Sequence, residues 1–257
     1  MSKRLISFVL VMTLIVCFAM PTYATAGMDA GGGLILVQGE GDVTLDIEDP
    51  HVRAMIERQV PEYFTQDHQE DLRNYLASLN SNTVTRAIDS KNLPVSNQQQ
   101  INGHYCGVAC AAQTASYISG SSVTQQTMAG AMQYTGTSGA MVYQVTNGVN
   151  AYTSTNQYIS VGLWNVTFST AVINSLEKNR PVIALVKSSV LGPKYAPSQG
   201  HYVTIKGYAA GFSGSSSISD VYYNDPYNNS AYYGTWTTTF ANMKDAIVAH
   251  SSYIVAA

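Results

Sequence analysis

Cysteine, tryptophan and charge are scarce in this chain: three cysteines, two tryptophans and 11% charged side chains among 257 residues. Each scarcity excludes something. So few thiols cannot build the disulfide framework that an exported chain would use in place of a large core. The thin and slightly acidic charge, −3 overall, gives no basic surface for nucleic acid or an anionic bilayer. After Met20 no apolar run is long enough to span a membrane, so no stable membrane insertion is expected. No glycine-rich loop follows a strand in the manner of a phosphate cradle, and there is no internal repeat. His51, His68 and His250 share no ligand spacing with one another or with a cysteine, which leaves no metal and no cofactor to expect.

What is present begins with a targeting pattern. Lys3 and Arg4 precede an uncharged apolar stretch from Leu5 to Met20, then Pro21 and the small-residue pattern Ala24-Thr25-Ala26. Residues 1–26 therefore read as a secretory signal peptide cleaved after Ala26, which implies a secreted or cell-surface bacterial protein. Leu14-Ile-Val-Cys17 is a poor lipid-attachment box because Val16 is bulky, so Cys17 is expected to leave with the signal. Cleavage removes two of the 13 cations and none of the 16 acids, leaving a net charge of −5. It also leaves two thiols, Cys106 and Cys110, four apart on one helix face and badly placed to bridge each other.

The remaining 231 residues, 257 less 26, are enough for one large core or a domain plus an extension. Residues 27 to about 41 contain Gly31-Gly32-Gly33 and read as flexible. Residues 42–96 are acidic and look helical over His51–Arg58 and Asp67–Leu79, where Leu72, Tyr75, Leu76 and Leu79 form one apolar face. That face needs something to pack on. From Asn97 the composition turns to Tyr, Ser, Thr, Asn and Gly. The pattern predicts helices over 107–119 (ended by Gly120), from Thr124, and over 140–152, with Met141, Val145 and Val149 on one side of the last. A strand over 157–163, a helix over 169–178 and a buried strand over 181–186 follow. Next come a strand over 201–208, a hairpin loop over 211–217, a return strand over 218–224, an extended 234–237, a helix over 239–249 and a last strand over 252–255. Helices first and antiparallel strands after make the fold class α+β.

The chemistry concentrates in Gln100-Ile-Asn-Gly-His-Tyr-Cys106-Gly-Val-Ala-Cys110. Cys106 stands where a loop enters an alanine-rich helix, and the free N–H groups and partial positive charge there favour thiolate, the nucleophilic form. Gly107 lets a backbone N–H approach a developing oxyanion, and Gln100 carries an amide donor just upstream. His201, preceded by Gly200, is the candidate ion-pair partner of the thiol. Asp225 ends the neighbouring antiparallel strand in Tyr222-Tyr-Asn-Asp225-Pro226, at the same end of the sheet, where its carboxylate can reach the far ring nitrogen. Asn224 is the reserve for that role. Cys110 reads as a buried structural thiol, His104 as solvent-facing or substrate-lining, and Trp164 and Trp236 as core or cleft wall.

Glutamine, cysteine six residues on in Cys-Gly-x-Ala, then Gly-His-Tyr-Val-Thr-Ile-x-Gly-Tyr and Asn-Asp-Pro: in this order the chain resembles the papain-like cysteine peptidases that process bacteriocin precursors at double-glycine leaders, and especially their free-standing secreted relatives. The resemblance covers residues 97–257 and implies a papain-like fold, with an N-terminal helical lobe carrying the nucleophile packed on an antiparallel sheet. It implies a triad of Cys106, His201 and Asp225, and it selects Gln100, over the adjoining Gln98 and Gln99, as the oxyanion donor. The leader peptidases proper are joined to a membrane transporter, which this chain lacks, so bacteriocin maturation does not carry over. Residues 27–96 have no counterpart in the resemblance, and their composition break and unpartnered helix suggest an intramolecular propeptide.

The expected activity is thus hydrolysis of peptide or protein substrates by an exported cysteine peptidase. Two rivals use the same residues differently: a cell-wall peptide amidase or transpeptidase, recognised by turnover of peptidoglycan, and a catalytically inactive surface or binding protein, whose Cys106 would be no more reactive than Cys110.

Overall fold

The computed structural model describes residues 49–81, 89–154, 157–163, 166–192, 199–210 and 218–257. Residues 1–26, expected to be a signal peptide, the stretch over 27–41 expected to be flexible, residues 211–217 expected to form a hairpin loop, and Trp164 lie outside the described residues.

Helix α1 (Pro50–Gln59) starts where the sequence supplies both a cap and a stiff first residue: Asp49 accepts from the N–H groups of His51 and Val52, and Pro50 occupies the first turn. Helix α2 (Gln66–Ser81) carries the apolar face read from the sequence, with Leu72, Tyr75 and Leu79 buried and Leu76 partly so. That face has a partner, because α2 packs on strand β2 (Ile159–Gly162) and on helix α6 (Phe168–Glu177). Val52, Met55, Ile56 and Val60 of the α1 region enter the same hydrophobic cluster as the rest of the molecule.

Strand β1 (Lys91–Asn92) then leads to three helices: α3 (Cys106–Ser119), α4 (Gln125–Ala131) and α5 (Val142–Asn150). Gly120 ends α3 in the left-handed region at φ 67°, and Thr124 caps α4 by accepting from the Thr127 N–H. Val145 and Val149 of α5 are fully buried. Beyond β2 and α6 the chain forms β3 (Val182–Lys187), the short helix α7 (Ser188–Leu191), β4 (Gly200–Ala210), β5 (Ile218–Asp225), β6 (Gly234–Thr239), α8 (Phe240–Val248) and β7 (Tyr253–Ala256). Neither β1 nor α7 was foreseen, since both are too short to carry a period.

One antiparallel sheet runs in the order β2-β7-β3-β4-β5-β6, with β1 also on β4. At that junction β1 crosses so close to β4 that a methyl on Gly207 would run into Lys91 and Asn92 backbone. Helix α3, buried along Cys106–Ala115, lies on β4, and its run of alanines lets it settle there. A helical layer with Cys106 at the start of α3, packed on an antiparallel sheet, is the papain-like α+β arrangement.

Because α1 belongs to the common core, Ile56→Ala should destabilise the whole protein by about 2–5 kcal/mol and lower the midpoint of a single urea transition. Two separate transitions would show instead that the N-terminal helices unfold as their own unit.

Candidate active site

Cys106, His201 and Asp225 lie in one place, each set there by the end of an element. Cys106 is the first residue of α3, whose preceding residue, Tyr105, offers no side-chain cap. The helix start therefore keeps donor groups for the sulfur instead of spending them on a cap. His201 is the second residue of β4 and Asp225 the last of β5, and the antiparallel pairing of these strands puts both at one sheet end.

His201 Nε2 and Asp225 Oδ1 are 2.8 Å apart, at 1% and 0% side-chain exposure. The same imidazole also acts on the Cys106 thiol, through a hydrogen bond and through its charge. Asp225 Oδ1 also accepts from the Tyr227 N–H at 2.9 Å, and the Tyr227 ring stands edge-on to the imidazole, 5.4 Å between centres. The carboxylate thus has two donors, and a tyrosine ring shields the pair.

Electrostatics divides the two thiols. Burial alone pushes the Cys106 thiol up, but the hydrogen bond and charge of His201, with N–H groups of Tyr202 and Gly107, outweigh it and hold the thiol below its ordinary value. Burial likewise works against imidazolium at His201, yet the charge and hydrogen bond of Asp225 carry its pKa up to about 10. Cys110, one turn along α3, is pushed well above the usual thiol range by burial. Of these two thiols, Cys106 is the one whose ionised form is favoured.

Gln100 is brought to the same corner by the loop before α3. Asn224 Nδ2 donates to Val95 O (3.0 Å), Asn97 Nδ2 to Asp225 O (2.9 Å) and Gly234 O (2.8 Å), and the Gln100 N–H to Pro226 O (2.6 Å). The loop is sewn to the turn that carries Asp225. Gln100 is buried; its Nε2 donates to Asn102 O at 2.7 Å, which uses one of the two amide hydrogens.

Asn224 does not orient His201: its side chain spends itself on Val95 O, Gln113 Oε1 (3.1 Å) and the Thr235 hydroxyl (2.8 Å). Sequence reasoning missed Asn97 and Gln113 altogether. Gln113 carried a signal, being a long polar side chain two turns from Cys106 in the buried, alanine-rich part of α3. His104 is exposed, and its carbonyl accepts from the Tyr134 hydroxyl at 2.8 Å. Trp236 is partly buried against the core and donates to Tyr232 O.

Residues 92–251 match the model of the Peptidase_C39 like family. The chain belongs to that family. The matched span holds Gln100, Cys106, His201 and Asp225, so the peptidase-family segment and the site coincide. Among solved structures, the peptidase domain of Streptococcus ComA, a bi-functional ABC transporter involved in a quorum-sensing pathway, aligns at 12% identity over 63% of this chain and 96% of its own, with a TM-score of 0.42. No curated protein matches the chain. Residues 50–81, with both N-terminal helices, precede the family segment.

The division between the thiols is directly measurable. At mildly acid pH a thiol reagent should alkylate Cys106 and spare Cys110 in the folded protein, as peptide mapping would show, and His201→Ala should remove the preference. Equal labelling of the two would contradict the arrangement.

Proposed function

We propose that this protein is an exported cysteine peptidase that hydrolyses peptide bonds with Cys106 as nucleophile, His201 as proton carrier and Asp225 as its orienter. The observation that carries the reading is the buried Asp225–His201–Cys106 relay at the start of α3, with the thiol held down and the imidazole held up. Family membership supports a peptidase, and the targeting pattern of residues 1–26 supports export to the medium or cell surface. Among the described residues no helix is long and apolar enough to cross a membrane.

Thiolate and imidazolium exist together before substrate arrives. The Cys106 sulfur attacks the scissile carbonyl carbon and its charge passes to the carbonyl oxygen. The Cys106 N–H and the second hydrogen of the Gln100 amide are the donors for that oxygen. As the tetrahedral centre collapses, His201 gives its proton to the leaving amine, and a thioester remains on Cys106. Neutral His201 then takes a proton from water, hydroxide displaces the sulfur, and the acid product departs with the ion pair restored. Asp225 holds the ring in register through both steps and balances its charge.

Activity should be broad in pH. It should fall on the acid side as the thiolate is protonated, and on the alkaline side as His201 loses its proton near 10. Cys106→Ala should abolish cleavage of peptides, and Gln100→Ala should lower kcat by about 10² to 10³. A Gln100→Ala enzyme as fast as wild type would remove that residue from the oxyanion site. Turnover of purified peptidoglycan with none of peptides would replace a peptidase by a cell-wall amidase.

A further inference from the structure

The helices that precede the family segment reach the catalytic centre through one side chain. Gln59, the last residue of α1, is 2% exposed, and its Oε1 accepts from the Val142 N–H at 3.3 Å. Val142 is the first residue of α5, where a backbone N–H has no partner within its own helix. The neighbouring Met141 N–H is satisfied from inside the helix, by Gln144 Oε1 at 2.9 Å, whereas the Val142 N–H is one of the first-turn donors that need a partner from another element, and Gln59 supplies it. This bond, spanning 83 residues of sequence, fixes where the chain enters α5.

Two residues before Val142 stands Ala140. Its carbonyl accepts from the buried Tyr202 hydroxyl at 3.0 Å. A methyl built on Gly107 would stand 3.1 Å from Ala140 Cβ and 3.0 Å from the Tyr202 ring, so these three residues form one tightly packed layer. Gly107 and Tyr202 are the residues whose backbone N–H groups bind the Cys106 sulfur, and Tyr202 follows His201. A shift of Ala140 has no slack in which to be absorbed before it reaches them.

We infer that the N-terminal helices are a resident part of the catalytic unit, in which Gln59 is a positioning residue that sets the Gly107 and Tyr202 N–H groups on Cys106 through Val142 and Ala140. The inference rests on Cys106 being the nucleophile. It gives residues 50–81 the opposite role to a releasable propeptide: their loss disables the enzyme.

The test reads the thiolate, which a bond of merely structural value would not move. Gln59→Leu keeps the size and removes the acceptor; Gln59→Glu keeps an acceptor, at a helix N-terminus that favours negative charge. In the full-length protein, Gln59→Leu is expected to slow Cys106 alkylation about tenfold at mildly acid pH and to leave it unchanged at alkaline pH, where Cys106 is ionised in both proteins. Gln59→Glu should follow the wild-type profile. The ionisable groups facing the thiol, His201, Cys110, Tyr134 and Tyr202, are the same in all three proteins. A wild-type profile in Gln59→Leu overturns the inference.

A second measurement holds even if Gln59→Leu does not fold. The secreted protein, labelled at Cys106 by a thiol reagent and weighed intact, should still contain residues 50–81. A labelled chain that starts after residue 89 overturns the inference in favour of a propeptide. If wild-type Cys106 labels no faster than Cys110, the nucleophile reading itself fails, and this inference goes with it.

Discussion

A histidine and an aspartate share a hydrogen bond in the interior, and the rest of the structure is arranged to make that tolerable. Charges taken out of water cost several kcal/mol each, and a buried pair is retained only if its geometry and further hydrogen bonds offset this. His201 and Asp225 meet both conditions. They sit at one end of adjacent antiparallel strands, the Tyr227 N–H supplies a second donor to the carboxylate, and the Tyr227 ring covers the imidazole. The pair's remaining attraction is directed at Cys106. A carboxylate that stabilises imidazolium at His201 favours the thiolate of Cys106 at the helix start, against the burial that pushes the thiol up.

That dependence explains why so many polar side chains outside the triad are spent on backbone. Asn97 and Asn224 tie the loop before α3 to the strand end carrying Asp225, and Gln113 joins the network from α3 itself. Loop, strand and helix are thereby fixed to one another at the point where a small displacement would separate Cys106, His201 and Gln100. On the other side of Cys106 the layer of Gly107, Ala140 and Tyr202 does the same by packing. Hydrogen bonds hold one wall of the site, and close packing with the Tyr202–Ala140 hydrogen bond holds the other.

Much of this was legible in the residues, and the part that was not has a physical reason. The long elements read correctly because their periods are strong: alternation over 201–208, the apolar run over 181–186, the alanine-rich helix ended by Gly120. The proximity of His201 and Asp225 was legible because hairpin logic puts the start of one strand beside the end of the next, whereas Cys106 was joined to them by its helix-start position and by the resemblance. Asn224 was the natural reserve for Asp225 from adjacency alone, yet neighbouring residues of a strand point to opposite faces, and only one can meet the imidazole. The loop-fixing role of Asn97 and the reach of Gln59 to Val142 were invisible, since both depend on contacts between segments more than 80 residues apart. The apolar face of α2 announced that it needed a partner; that the partner would be β2 and α6 is a property of the packed sheet.

The central claim, an ion pair between Cys106 and His201, is tested most directly by the ultraviolet absorbance of thiolate as a function of pH, taken as the difference between the wild-type protein and Cys106→Ala. The account predicts a thiolate signal already present at mildly acid pH that disappears on further acidification, and its displacement to alkaline pH in His201→Ala. A Cys106 that gains its thiolate absorbance only at or above the ordinary thiol range in the wild-type protein would contradict it.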